Sequence, residues 1–105
     1  MRRGDVYELR PPRRAGHGQQ GPRLGVVVQS DALLPRSVVL IAPTSRSARP
    51  ASFRPEVMIG GETTKVLVEH VGAVDINSLG DHVGLASPEE MWGIDESLMT
   101  VFGLH

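Results

Sequence analysis

Arg23-Leu24-Gly25-Val26-Val27-Val28 and Ser37-Val38-Val39-Leu40-Ile41-Ala42 are the stretches whose reading decides the fold. Leu24 to Val28 is a short continuous apolar run between polar segments, the pattern of a strand buried on both faces, and 37–42 reads the same way. Pro43 is expected to end the second run, because proline cannot donate to a central ladder. If the two runs are antiparallel neighbours, the start of one meets the end of the other. Arg23 and Thr44 then come close together at one edge of a sheet.

Working outward, Asp5 to Arg10 alternates and reads as a strand. The segment from Pro11 to Arg23 is rich in glycine and proline and has no apolar period, so it is a loop, and loops this long are often functional. Thr44-Ser45-Arg46-Ser47-Ala48-Arg49-Pro50 is a second polar loop. Phe53 to Ile59 reads as a strand near an edge because of Pro55, and Gly60-Gly61 as a hairpin turn with Glu62 to Thr64 still in the connection. Lys65 to Val74 reads as one strand, Asp75 to Gly80 as a turn or one helical turn, and Asp81 to Ala86 as a short strand.

Ser87-Pro88-Glu89-Glu90 then places serine at an N-cap, proline at the first helical position and glutamate at the third. Met91, Ile94, Leu98, Val101 and Phe102 follow at helical spacing, and Gly103 can close the helix. The expectation is a mostly β (α+β) domain over residues 1–105, with five or six strands and one C-terminal helix covering a sheet face.

The chain has 105 residues and no cysteine, which excludes disulfide scaffolds, thiolate metal sites and cysteine nucleophiles. No stretch approaches the roughly 20 apolar residues of a membrane helix. The start, Met1 to Tyr7, lacks the apolar run of a signal peptide, so a cytoplasmic address is expected. The net charge of −1 conceals a division. Residues 1–54 hold ten arginines against three acids, whereas residues 55–105 hold Lys65 against nine acids. Either the halves intermix and the charges pair off, or the basic half meets a polyanion, RNA above all. Arginine grips phosphate through two parallel hydrogen bonds. Arg23 beside Thr44, flanked by Ser45, Arg46, Arg49 and the long loop's Arg13 and Arg14, would form a phosphate-binding arrangement. In the plainer alternative, Arg23 pairs with a carboxylate and Thr44 caps a turn. Arg2, Arg3, Arg36 and Arg54 have no such placement and read as ordinary surface. Phe53 reads as either a stacking platform or core.

The order of these segments resembles the MazF/PemK toxins, ribosome-independent endoribonucleases of bacterial toxin–antitoxin systems. Arg3-Gly4-Asp5-Val6-Tyr7 resembles the family's Arg-Gly-Asp/Glu-Val/Ile-aromatic start, and 16–23 its Gly-Ser-Glu-Gln-x-Gly-x-Arg loop. Leu24 to Ser30, Ala42-Pro43-Thr44-Ser45 and Val66-Leu67-Val68-Glu69-His70-Val71 resemble later family segments in the same order. The resemblance covers nearly the whole chain. It implies a small SH3-like barrel with a C-terminal helix, working as a homodimer and needing no cofactor or metal. The implied activity is cleavage of single-stranded RNA, the 2′-hydroxyl attacking the adjacent phosphorus to leave a 2′,3′-cyclic phosphate and a 5′-hydroxyl.

Arg23 and Thr44 match the family's catalytic arginine and threonine. Gly18 stands where some members carry a glutamate, and His17 beside it could take over proton transfer. Arg13, Arg14, Gln19, Gln20, Ser45, Arg46 and Arg49 are the implied RNA-binding set. Leu24 replaces the family's proline, His70 its glutamine, and Gly72-Ala73 stand where an arginine is often found. The implied protein partner is a cognate antitoxin with an acidic, flexible segment. Two alternatives share the fold: a non-enzymatic, gyrase-binding toxin like CcdB, suggested by Trp92-Gly93-Ile94, and a plain RNA-binding barrel.

Overall fold

In the computed structural model, residues 1–10 and 23–104 are described. Seven strands are present among them: β1 (Asp5–Leu9), β2 (Arg23–Val27), β3 (Val38–Ser45), β4 (Glu56–Ile59), β5 (Glu62–Val66), β6 (Gly72–Asp75) and β7 (Leu79–Leu85). Helix α1 (Pro88–Phe102) closes the chain. The strands form one curled sheet in the order β4-β5-β3-β2-β1-β7, with β6 also paired to β3. This is the mostly β architecture with one terminal helix that the sequence implies. The helix of the described residues is not long and apolar enough to cross a membrane.

The two apolar runs are antiparallel neighbours, with Gly25 opposite Pro43 and Val27 opposite Ile41. Because side chains alternate along a strand, an unbroken apolar run serves two faces at once. Val26 and Val28 join Val6, Ala42, Val57, Val66, Val68 and Ile94 in the core beneath α1. Val27 turns the other way, to Val39, Ile41 and Leu79, with Tyr7, Leu9 and Val74 packed against them. The helix start has its capping box: Ser87 Oγ accepts from Glu90 N–H at 3.1 Å and Glu90 Oε1 from Ser87 N–H at 2.8 Å. Gly103, at φ 68°, ends the helix in the left-handed conformation.

Five boundaries differ from the sequence reading. Pro43 does not end its strand but lies inside β3. Val66 faces Thr44 and Gly72 faces Ile41, so six steps along the partner chain correspond to three along β3. A 3₁₀ turn at Val68–His70 takes up the surplus, which is why the expected strand 65–74 is two strands. Leu67 N–H donates to the Pro43 carbonyl at 2.8 Å, so Pro43 turns its backbone toward that turn. Its missing N–H falls where the ladder is already interrupted.

Glu62 to Thr64 belong to β5, not to the connection. Gly60 and Gly61 have φ of 59° and 81°, a two-residue turn that lets Ile59 pair directly with Glu62. Phe53 precedes β4 rather than opening it, because Arg54 N–H donates to the Ala51 carbonyl at 3.0 Å and turns the chain there. Finally, β7 begins at Leu79, inside the expected turn 75–80, immediately after a 3₁₀ turn at Ile76–Ser78 capped by Asp75.

Candidate functional site

Arg23 opens β2 at the end of the sheet, paired with Leu9, the last residue of β1. The register that puts it there is fixed by Gly25. A Cβ at this position would lie 2.4 Å from Ile41 Cγ2 and 3.1 Å from the Leu9 methyls, so only glycine allows these side chains to close over β2. Beyond β1, Arg10 N–H donates to the Ser78 carbonyl at 2.9 Å. Arg10 and Arg23 line a cleft of about 330 Å³ together with Leu9, Val74, Asp75 and Ser78. The cleft is thus lined by two arginines and one acidic residue, and Asp75 Oδ1 already accepts from Asn77 N–H at 2.8 Å. Among the described residues no carboxylate pairs with Arg23 or Arg10.

Thr44 is half-buried on β3, one step beyond the Gly25–Pro43 pair and therefore abreast of Leu24. Its hydroxyl donates to the Leu24 carbonyl at 3.4 Å, well beyond the usual O–H···O distance and so a weak bond. The strand positions of Arg23 and Thr44 are thus neighbours, but their side chains start from opposite faces of the sheet. Arg23 shares the face of Gly25 and Val27, and Thr44 that of Ala42. Thr44 does not line the cleft. Arg13, Arg14, His17, Gln19 and Gln20 lie outside the described residues.

The second loop is tied down at several points. Ser45 Oγ accepts from Ala48 N–H at 3.1 Å, and Arg46 pairs with Glu62 at the β4–β5 turn. Arg54 Nη1 donates to the Arg49 carbonyl at 3.0 Å, while its Nε and Nη2 lie 2.7 and 2.6 Å from Glu69 Oε2. Burial works against ionisation of Glu69, yet the hydrogen bond and charge of Arg54 hold its carboxyl below the usual range. Its other oxygen, Oε1, is buried without a partner, so Arg54 supplies most of the compensation. The Arg54 guanidinium also lies 5.6 Å from the centre of the Phe53 ring, which gives that ring a local cation–π role.

Arg3 donates through Nε to the Val28 carbonyl at 2.8 Å and through Nη2 to Asp95 on α1 at 2.6 Å. Arg3 and Arg54 are therefore not ordinary surface residues but partly buried ion-pair members. Among the described residues, charge pairing between the halves holds for three arginines, 3, 46 and 54, whose partners Asp95, Glu62 and Glu69 all come from the acidic half.

Sequence reasoning missed Arg10 in the cleft; its signal was its position at the close of the first strand, next to the loop that ends at Arg23. It also missed a cluster on the face of β1 that Leu9 shares. Buried Asp5 accepts from Arg2 N–H at 2.7 Å and meets His82 Nε2 at 3.0 Å, and the His82 ring stands edge-on to Tyr7 at 5.3 Å. Burial raises the cost of charging Asp5, but the bonds from Arg2 and His82 hold its carboxyl below the usual range. Burial and the Asp5 charge push the Tyr7 hydroxyl up. Asp5 and His82 stand far apart in sequence and meet only through the β1–β7 pairing.

These features define a curled β-sheet domain with a C-terminal helix and a basic cleft at the sheet edge. Residues 2–102 match the family described as PemK-like, MazF-like toxin of type II toxin–antitoxin system, and the chain belongs to that family. A candidate toxin of Mycobacterium tuberculosis is 36% identical over 104 residues, with 97% of each chain covered. The fold is shared with an endoribonuclease in complex with its cognate antitoxin from a mycobacterial species, with TM-score 0.81, 21% identity and 100% and 97% of the two chains covered. It is also shared with MazE–MazF from Deinococcus radiodurans, with TM-score 0.79, 19% identity and coverage of 100% and 97%.

Proposed function

We propose that this toxin is a metal-independent endoribonuclease that cuts single-stranded RNA, with Arg23 at the reacting phosphate. The observation that carries this reading is an exposed arginine at the head of a rigid strand, in a cleft with a second arginine and with no carboxylate partner among the described residues. The 2′-hydroxyl attacks the adjacent phosphorus and loses its proton. The P–O5′ bond breaks, the 5′-oxygen takes a proton, and a 2′,3′-cyclic phosphate remains. A guanidinium stays charged through such a cycle, so Arg23 serves to stabilise the negative charge growing on the phosphoryl oxygens and not as the base. Thr44 starts from the opposite face of the sheet, so its assigned role requires the RNA to cross the end of β2, where the hydroxyl can exchange its weak bond to the Leu24 carbonyl for a phosphoryl or departing 5′-oxygen. His17 is assigned the proton transfer.

Arg13, Arg14, Gln19 and Gln20 of the first loop, with Ser45 and Arg49 of the second, are assigned to binding RNA, whereas Arg46 is held by Glu62. The protein works in the cytoplasm as a homodimer. Exposed Trp92, Met99 and Phe102 on α1 supply apolar surface for such an association. A cognate antitoxin would silence it by laying an acidic, flexible segment over the arginines. The gyrase-binding alternative loses part of its motif: Trp92 is exposed but Ile94 is fully buried in the core, so the three residues do not form one surface element.

The test is incubation of the purified protein with mixed-sequence RNA in EDTA, followed by mapping of the product ends. Cyclic phosphate and 5′-hydroxyl ends are expected. No cleavage at saturating protein overturns the activity, and full cleavage by Arg23→Ala overturns the role of Arg23. A monomer in sedimentation at micromolar concentration overturns the dimer.

A further inference from the structure

We propose that Arg54 and Glu69 are positioning residues that hold the 46–55 loop in its RNA-receiving shape, leaving Arg49 as the arginine of that loop that grips phosphate. The inference rests on the RNA-cleaving reading and goes on to divide labour within the loop. Arg54 sits at the loop's end, yet its guanidinium reaches back to the Arg49 carbonyl at 3.0 Å while the same group is clamped to Glu69. Glu69 lies in the 3₁₀ turn that steps the chain along β3, so the loop is referenced to the sheet itself and not to solvent. Arg54 N–H closes a second tie to the Ala51 carbonyl. The backbone of Arg49 is thereby fixed, while its exposed guanidinium has no carboxylate partner among the described residues.

Arg46 is differently placed. It faces Glu62, so a phosphate approaching it meets a carboxylate as well and must displace that partner. Two arginines three residues apart, alike in sequence, are thus unequal: one is held ready and the other is closed off. A fixed loop also loses less conformational freedom when RNA arrives, which is how positioning at a distance appears as affinity.

Binding to a mixed-sequence RNA made uncleavable by 2′-O-methylation, titrated at several salt concentrations, tests this. Each phosphate contact on a single strand contributes about 0.7 to the slope of log affinity against log salt, or roughly fivefold in affinity at 0.1 M salt. Arg49→Gln is expected to lose one such contact in both slope and affinity. Arg46→Gln is expected to keep the wild-type slope, and Glu62→Gln to bind more tightly with a steeper slope because it frees Arg46. Glu69→Gln is expected to approach the Arg49→Gln affinity although residue 69 touches no RNA, and Glu69→Asp to recover part of it. A wild-type slope in Arg49→Gln, or wild-type affinity in a folded Glu69→Gln, overturns the proposal while leaving the nuclease reading intact. Wild-type protein that neither binds nor cuts RNA overturns both. Arg49→Gln leaves the Arg54–Glu69 pair in place, so it decides the matter even if Glu69→Gln does not fold.

Discussion

Arg54 and Arg23 are the same side chain in opposite surroundings. Arg54 is mostly buried, and its donors are spent on Glu69 and the Arg49 carbonyl. Arg23 is exposed at the strand head and has no carboxylate partner among the described residues. The difference shows how an acidic half and a basic half can share a small domain without cancelling. The acids of the later strands, turns and helix neutralise chosen arginines where the fold needs them tied. Arg10 and Arg23 beside β2 have no carboxylate partner among the described residues, and a cation left so is available to a ligand.

The comparison breaks first at Arg23. Arg23→Ala should lower RNA cleavage by about 10²- to 10³-fold, the usual cost of one transition-state hydrogen-bond donor, with an unchanged melting temperature. Kinetics and thermal unfolding on the same sample check both halves of that statement. Arg54→Ala should act first on stability, costing roughly 2–3 kcal/mol because it strands the Glu69 carboxylate. Urea unfolding measures it, and a loss below 0.5 kcal/mol would remove Arg54 from the structural class.

A third test concerns acid. The Asp5 carboxyl is held below its ordinary value in the folded chain. Its contribution is therefore present above the unfolded value of about 3.9 and is lost as pH falls through the lower folded value. Asp5→Asn should be less stable than wild type at pH 7, and the gap should narrow by pH 3; a constant gap refutes the linkage. The smallest effect belongs to Arg46→Ala. Its ion pair with Glu62 is 70% and 62% exposed, and such pairs are worth about 0–1 kcal/mol, so unfolding should be nearly unchanged.

Much of this fold is legible along the chain. The run Val26-Val27-Val28 and the capping box at Ser87–Glu90 are local patterns, and local physics reads them correctly. Two of the misreadings arose where a partner strand changed. Pro43 looked like a terminator because a central ladder cannot spare an N–H, but β3 passes there from β6 to β5 and the donor is not missed. Residues 65–74 looked like one strand because nothing local marks a surplus measured against a neighbouring strand. The split of charge between halves was visible as a pattern, and its two readings were both legible; which arginine follows which reading was not.

The sequence by itself determined the two buried strands at the centre of the sheet, the helix and its cap, the absence of cysteine chemistry, and Arg23 at the head of a buried strand. These follow from periodicity and residue chemistry, which act over a few positions. Only the tertiary structure decided that Arg54 and Arg3 are tied, that Asp5 meets His82, and that Arg10 joins Arg23 in one cleft. Such pairings form between residues far apart in the chain, and strand register brings them within reach.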